Sequence, residues 1–291
     1  MDEFIRALGF RELSASRTKL GGFVKSAVAE SGPHSWETGT DDGRSKERYR
    51  YCGKRFGVTS YSSIGKDGAM RVKRWDAFAE AGFNIPLNDI AVERGSDGLL
   101  YAYCEDGETG GDFEFRLNNV VEYKKHWKSY IAGARPFTAN VAGLASYGTI
   151  ILPVERTERS EQARENEMRE YRSLLERARS GDETACDSLN ERADEMSRAV
   201  RERLKSEDLL SVFEGYLLPV GDDDGVFAVL GEILAIDRDA NSLTGEEILT
   251  VTLDINESKI DVFVNAADVL GMPMEGMRFM GVCRLQGRIV F

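Results

Sequence analysis

From about Ser160 to Lys205, apolar residues recur every three or four positions, and most residues between them are charged. Met168, Tyr171, Leu174, Leu175 and Ala178 form one stripe; Ala185, Leu189, Ala193, Met196, Val200 and Leu204 form a second. That spacing is the period of a helix with one buried face, and Glu165/Arg169 and Arg172/Glu176 stand four apart on the other. Ser180-Gly181-Asp182 interrupts the pattern and can stop one helix and cap the next. The stretch is too polar to fold alone and has too few heptads for a coiled coil, so it predicts a helical hairpin packed on itself or its neighbours. It divides the chain into residues 1–153, a connector at 154–208, and residues 209–291.

Past the hairpin the period changes to two. Leu249, Val251, Leu253 and Ile255 point one way, and Thr250, Thr252 and Asp254 the other. Further strands are predicted at 226–236, 259–264, 277–285 and 288–291, with one helical turn in 266–270. Three strands, a short helix and two strands is the order of a small OB-type barrel, although a compact sandwich suits the same periodicity. Before the hairpin, helices are predicted over Phe4–Phe10, Leu20–Ala29 and from Asn118 or Asn119 to Gly133. Strands are predicted over 56–61, 69–75, 87–94, 99–104 and 112–117, with another including Gly148–Leu152. In 112–117, Phe113, Phe115 and Leu117 share one face and Glu114 and Arg116 the other. The fold class read from this is α+β: a mixed α+β domain (1–153), a charged helical hairpin (154–208) and a small, OB-like β domain (209–291).

The net charge of -12 is unevenly spread: residues 1–153, 154–218 and 219–291 carry +1, -5 and -8. No apolar run reaches the roughly 18 residues of a membrane span, and Met1-Asp2-Glu3 lacks a signal peptide's basic start, so the expectation is a cytosolic protein without a membrane partner. Cys52, Cys104, Cys186 and Cys283 are too widely spaced for a CxxC pair and predict reduced, mostly buried thiols.

Chemistry-bearing motifs are sparse. His34 and His126 are the two histidines, too few for a multi-histidine metal site. In Gly143-Leu144-Ala145-Ser146-Tyr147-Gly148 the serine sits one place late for a nucleophile elbow. Asp237, Asp239 and Asn241 match the first three ligands of a calcium loop, but Ser242 and Ile248 stand where it needs glycine and glutamate. Neither a dinucleotide nor a P-loop glycine motif occurs. These readings predict no cofactor, no metal and no catalytic set.

One stretch stands out. Between residues 44 and 75, ten basic residues face only Glu47 and Asp67, with Tyr49, Tyr51, Phe56, Tyr61 and Trp75 interleaved. The candidate binding residues are Arg48, Arg50, Lys54, Arg55, Arg71, Lys73, Arg74 and Trp75. Cations with aromatic rings suit single-stranded nucleic acid, yet Arg48 and Arg50 would lie on the strand face opposite Tyr49 and Tyr51. The competing reading is that these cations offset the acidic remainder of the chain. Segregated charge without a reactive cluster favours a noncatalytic protein-interaction or regulatory module whose partner is another protein. The alternatives are a nucleic-acid-binding module using 44–75 and an enzyme with an interdomain site involving His126.

Four stretches also resemble a known family: Phe4–Phe10, Gly148–Glu155, Asn241–Ile248 and Leu285–Phe291. The chain resembles the bacterial family called domain of unknown function 3881, nearly end to end. The resemblance implies a cytosolic protein of anaerobic gut-type bacteria. It brings no activity, cofactor or catalytic residue, and the basic run at 44–75 departs from the acidic character of that family.

Overall fold

The computed structural model describes residues 3–14, 17–29, 35–132, 137–153, 158–203, 205, 209–221 and 225–291. A 3-10 turn (Glu3–Leu8) leads into α1 (Arg11–Ser14) and α2 (Arg17–Ala29). Four strands follow: β1 (Ser35–Gly39), β2 (Ser45–Tyr51), β3 (Phe56–Ile64) and β4 (Met70–Ala79). They pair in sequence order, all antiparallel, as a separate four-stranded sheet. Gly57 permits this pairing because a Cβ there would fall 2.0 Å from the Arg50 carbonyl oxygen.

The remaining strands form one ten-stranded sheet. They are β5 (Ile85–Arg94), β6 (Leu100–Asp106), β7 (Asp112–Leu117), β8 (Phe137–Ile151), β9 (Tyr216–Pro219), β10 (Val226–Ala240), β11 (Glu247–Ile255), β12 (Ser258–Asn265), β13 (Val269–Leu270) and β14 (Arg278–Ile289). Helix α3 (Val120–Ala132) follows β7, and a 3-10 turn (Ala266–Asp268) follows β12. At the centre β8 and β14 run antiparallel from Ala139/Ile289 to Ile151/Arg278, with a bulge that leaves Ser146 outside the register. Two closed circuits of pairing share these strands. The first runs β5–β6–β7–β14–β8 and back to β5; the second runs β10–β11–β12–β8–β14 and back to β10. In each, the third strand makes the single parallel contact, with the long strand that ends the other half. Strands from both sides of residue 153 therefore share one sheet.

Strand β8 explains how this is built. Ala139, Val141 and Ala145 face one buried core with Phe115, Val229 and Phe279, while Ala142 and Leu144 face another with Phe10, Phe56 and Phe263. A strand buried on both sides need not alternate in hydrophobicity. That is why the sequence predicts only its end, 148–152. The last two predicted strands are one continuous β14, since Gly287 sits within the ladder opposite Val141.

The hairpin has the predicted form. Helices α4 (Glu158–Arg179) and α5 (Glu183–Arg203) join through Gly181, at φ +91°, and Asp182 caps α5 by accepting the Thr184 N–H at 3.0 Å. Arg192 pairs with Glu167 across the helices at 3.0 Å, and Arg172 reaches Glu257 in the β11–β12 turn at 2.5 Å. A short α6 (Leu209–Val212) follows. Buried Arg278 donates to the carbonyls of Leu152 (3.0 Å), Leu210 (2.8 Å) and Phe213 (3.1 Å), tying together the segments on either side of the hairpin. No described helix is long and apolar enough to cross a membrane.

Candidate functional site

The basic run falls mostly on β2, β3 and β4 and is divided between two faces. Register places Glu37, Arg48, Ser60 and Trp75 in one cross-strand row, and Ser35, Arg50, Val58 and Ala77 in the next, so Arg48, Arg50 and Trp75 share a face. Helix α2 covers part of it: Trp75 packs on the core with Leu20 and Val24. Arg48 and Lys46 both pair with Glu37, at 3.0 and 2.8 Å. Arg71 and Lys73 are exposed towards the other end of the sheet, and Arg71 lies 3.4 Å from Asp67.

Lys54 and Arg55 point elsewhere. The Lys54 backbone N–H donates to Asp239 at 2.7 Å, and the Arg55 guanidinium meets the buried Asp261 carboxylate of β12 at 2.5 Å while lying over the Phe263 ring. Arg74 lies on the opposite face of the sheet beside Tyr61, in a seam against β7 and α3. There the Asp76 carboxylate forms a buried ion pair with Arg116 of β7. Glu47, 1% exposed, accepts hydrogen bonds from the Tyr49 hydroxyl and from the Val121 N–H in the first turn of α3, both at 3.2 Å. Burial pushes its carboxyl up to about 7, against the pull of those two donors and Arg74. The gap beside Tyr49 and Arg288 has about 10 Å³ of space, room for one water.

The other sequence candidates have structural roles or stand apart. Ser146 occupies the β8 bulge, without a strand-to-helix turn. His126 lies on the exposed side of α3, its ring 5.8 Å from that of Phe291; His34 and Asp222-Asp223-Asp224 lie outside the described residues. Asp239 holds the Lys54 N–H, and the fully buried Asn241 donates to the Leu8 carbonyl at 2.6 Å, so two of the three partial calcium ligands serve as chain fasteners. No group of three or more potential metal ligands occurs among the described residues. Cys52, Cys104 and Cys283 are buried free thiols, and Cys186 is exposed on α5.

A feature not singled out from the sequence lies on the outer face of β5–β6–β7. Asp89, Glu105 and Asp112 form one cross-strand row, and Ala91, Tyr103 and Glu114 form the next. Beyond β7 the surface falls into a groove of about 580 Å³, bounded on the far side by Pro219 and Phe227, with Phe113 and Cys104 in its lining. Four carboxylates line it, and no lysine or arginine among the described residues does. Glu105 pairs with Arg179 of α4 and accepts from Asn88 at 3.0 Å, while Glu114 accepts the Gly225 N–H at 2.6 Å. The Asp112 carboxylate forms no hydrogen bond or ion pair among the described residues.

The family model described as "Domain of unknown function, E. rectale Gene description (DUF3881)" matches residues 5–287. The chain belongs to this family. No curated protein and no solved structure matches it. Two of the stretches by which it resembles DUF3881 meet in the fold. The Phe4–Phe10 stretch is fastened to Asn241–Ile248 through Asn241 to Leu8 and through the Thr244 hydroxyl to the Gly9 carbonyl at 2.7 Å. Gly148, in another, lies opposite Gly281, where the Phe279 ring fills the space a Cβ on Gly148 would need. The described residues of these DUF3881 stretches pack in the body, and none of them lines the groove.

Proposed function

We propose that the chain is a noncatalytic cytosolic interaction module that docks a basic segment of another protein in the groove between β7 and the facing Pro219 and Phe227. The observation that carries this reading is the pairing of four carboxylates with an apolar lining in a space of about 580 Å³ that no basic side chain of the described chain lines. Positive partners are steered and retained by such a surface, and phosphate backbones are repelled. The circuit β10–β11–β12–β8–β14, with one parallel contact and a 3-10 turn after its third strand, supports an OB-like β unit in 209–291 that borrows β8 from 1–153. The 154–208 hairpin would then be a connector braced on both halves.

The test is fluorescence anisotropy of a labelled lysine-rich peptide and a labelled single-stranded RNA, each titrated with the full chain between about 50 and about 200 mM salt. Saturable peptide binding, weakened by salt and by Asp89→Asn/Asp112→Asn, is expected. Salt-sensitive RNA binding that disappears with Arg48→Ala/Arg50→Ala, without peptide binding, would replace this reading with the nucleic-acid one.

A further inference from the structure

Strand β7 pairs with β6 from Asp112 to Arg116 without a register shift, but with β14 only at Arg116 and Leu117. Along a strand, the backbone groups of alternate residues turn to the same side. The N–H of Asn118 donates to the Gly287 carbonyl of β14 at 2.7 Å, which puts the even-numbered residues on the β14 side. The backbone groups of Asp112 and Glu114 therefore face the groove, where no strand pairs with them among the described residues. Gly225 stands between β7 and β14: its N–H bonds the Glu114 carboxylate, and its carbonyl accepts the Leu285 N–H at 2.8 Å. The strands splay there and leave a short open sheet edge at the lip of the groove.

We propose that an extended segment of a partner protein, alternating basic and apolar residues, adds to β7 as a further strand. The inference rests on the docking reading above and specifies its mode. In an added strand, residues level with Asp112 and Glu114 share their outward face, so that face calls for lysine or arginine; residues level with Phe113 turn to the apolar side. Main-chain hydrogen bonds would supply affinity, and alternate side chains specificity.

Two probes separate the mode from the docking itself: a short alternating Lys–Val peptide, and the same peptide with alternate backbone amides N-methylated along one edge or the other. Anisotropy and amide hydrogen exchange are read on the full chain. The expected result is that methylation of one edge weakens binding about tenfold or more and that of the other does not. The unmethylated peptide should slow exchange at the Asp112 and Glu114 amides. Asp112→Pro, which removes both the carboxylate and the groove-facing N–H that the β6 ladder does not use, should weaken binding beyond Asp112→Asn, which removes the charge alone. Equal binding of all peptides without protection at those amides overturns strand addition while docking stands; no binding of any peptide at low salt overturns both. Protection at Asp112 and Glu114 that appears without peptide and rises with protein concentration would give the edge to a second copy and also overturn the proposal.

Discussion

The two pairing circuits share two strands and one order of pairing, yet they are sealed differently. In the second, β12 lies along β8 over Asp261–Val264, and β13 continues the contact to Leu270. In the first, β7 meets β14 at two residues and then diverges. Both third strands place a buried charge at the parallel junction, Asp261 in one and Arg116 in the other, and the four-stranded sheet supplies the opposite charge to each, from Arg55 and Asp76. One sheet thus clamps both halves at equivalent places. Past the clamp, the outward face of β12 continues into Phe263, packed against Phe56, whereas that of β7 continues into Glu114, half-buried against Gly225, and the exposed Asp112. The groove opens beside the stretch of β7 that does not pair with β14.

The sharpest way to break this comparison is to remove one clamp at a time. Arg116→Ala leaves the buried Asp76 carboxylate only the Ala77 N–H at 3.0 Å and the Arg74 guanidinium at 4.0 Å, and should cost about 3–5 kcal/mol, read as a lowered urea midpoint. Arg55→Ala should cost less, about 1–3 kcal/mol, because Asp261 keeps the Gly82 N–H at 2.8 Å and the Thr252 hydroxyl at 2.6 Å. Equal losses would mean that the two junctions are not the asymmetric pair described.

The seam over the first circuit also titrates. Glu47 has its folded pKa raised from an ordinary 4.5 to about 7, so the folded state holds the proton more tightly than the unfolded one. Its contribution is fully present below about pH 4.5 and is lost as pH rises through about 7, a fall of about 2–3 kcal/mol. Glu47→Gln should remove that dependence: the variant minus wild-type stability difference should rise across this window in denaturant melts, and a flat difference would place Glu47 in contact with solvent.

The smallest effect concerns the turns that end the second strands. The first circuit uses a long loop between Asp106 and Asp112; the second uses Asn256-Glu257, both at positive φ (52° and 73°). Left-handed backbone at a glutamate costs about 1–2 kcal/mol, and an exposed pair such as Arg172–Glu257 returns about 0–1 kcal/mol. Glu257→Gly should therefore leave stability unchanged or raise it by about 1 kcal/mol, read as a slightly higher Tm. A clear loss would show that the bond to α4 matters more than the turn.

Much of this was legible in residue order. The hairpin, α3 and strands β7, β11 and β12 declare themselves through period, because apolar and polar residues alternate along each at the spacing of its helix or strand, although Asp261, Phe263 and Asn265 leave β12 buried on both faces. Strands β1 and β2 do not: Ser45–Tyr51 reads as a charged run, since Glu47 is buried with Tyr49 while Lys46 and Arg48 are held by Glu37. The candidate residues at 44–75 were visible as charge, but not their counterions, which lie up to 206 positions away in Asp261. For the groove, alternation alone puts Glu114 outward; nothing local tells that β7 will leave β14 beside it.

What residue order determines here is local: which segments are helical, which strand faces are apolar, and that acid gathers towards the C-terminal end. Tertiary structure alone decided that β8 and β14 would serve both circuits, that Asp76 and Arg55 would reach opposite charges, and that β7 would keep an open edge. The physical reason is range. Period and capping act over a few residues, whereas a sheet edge is open or closed, and a buried charge paired or stranded, only through partners that the chain brings from far along its length.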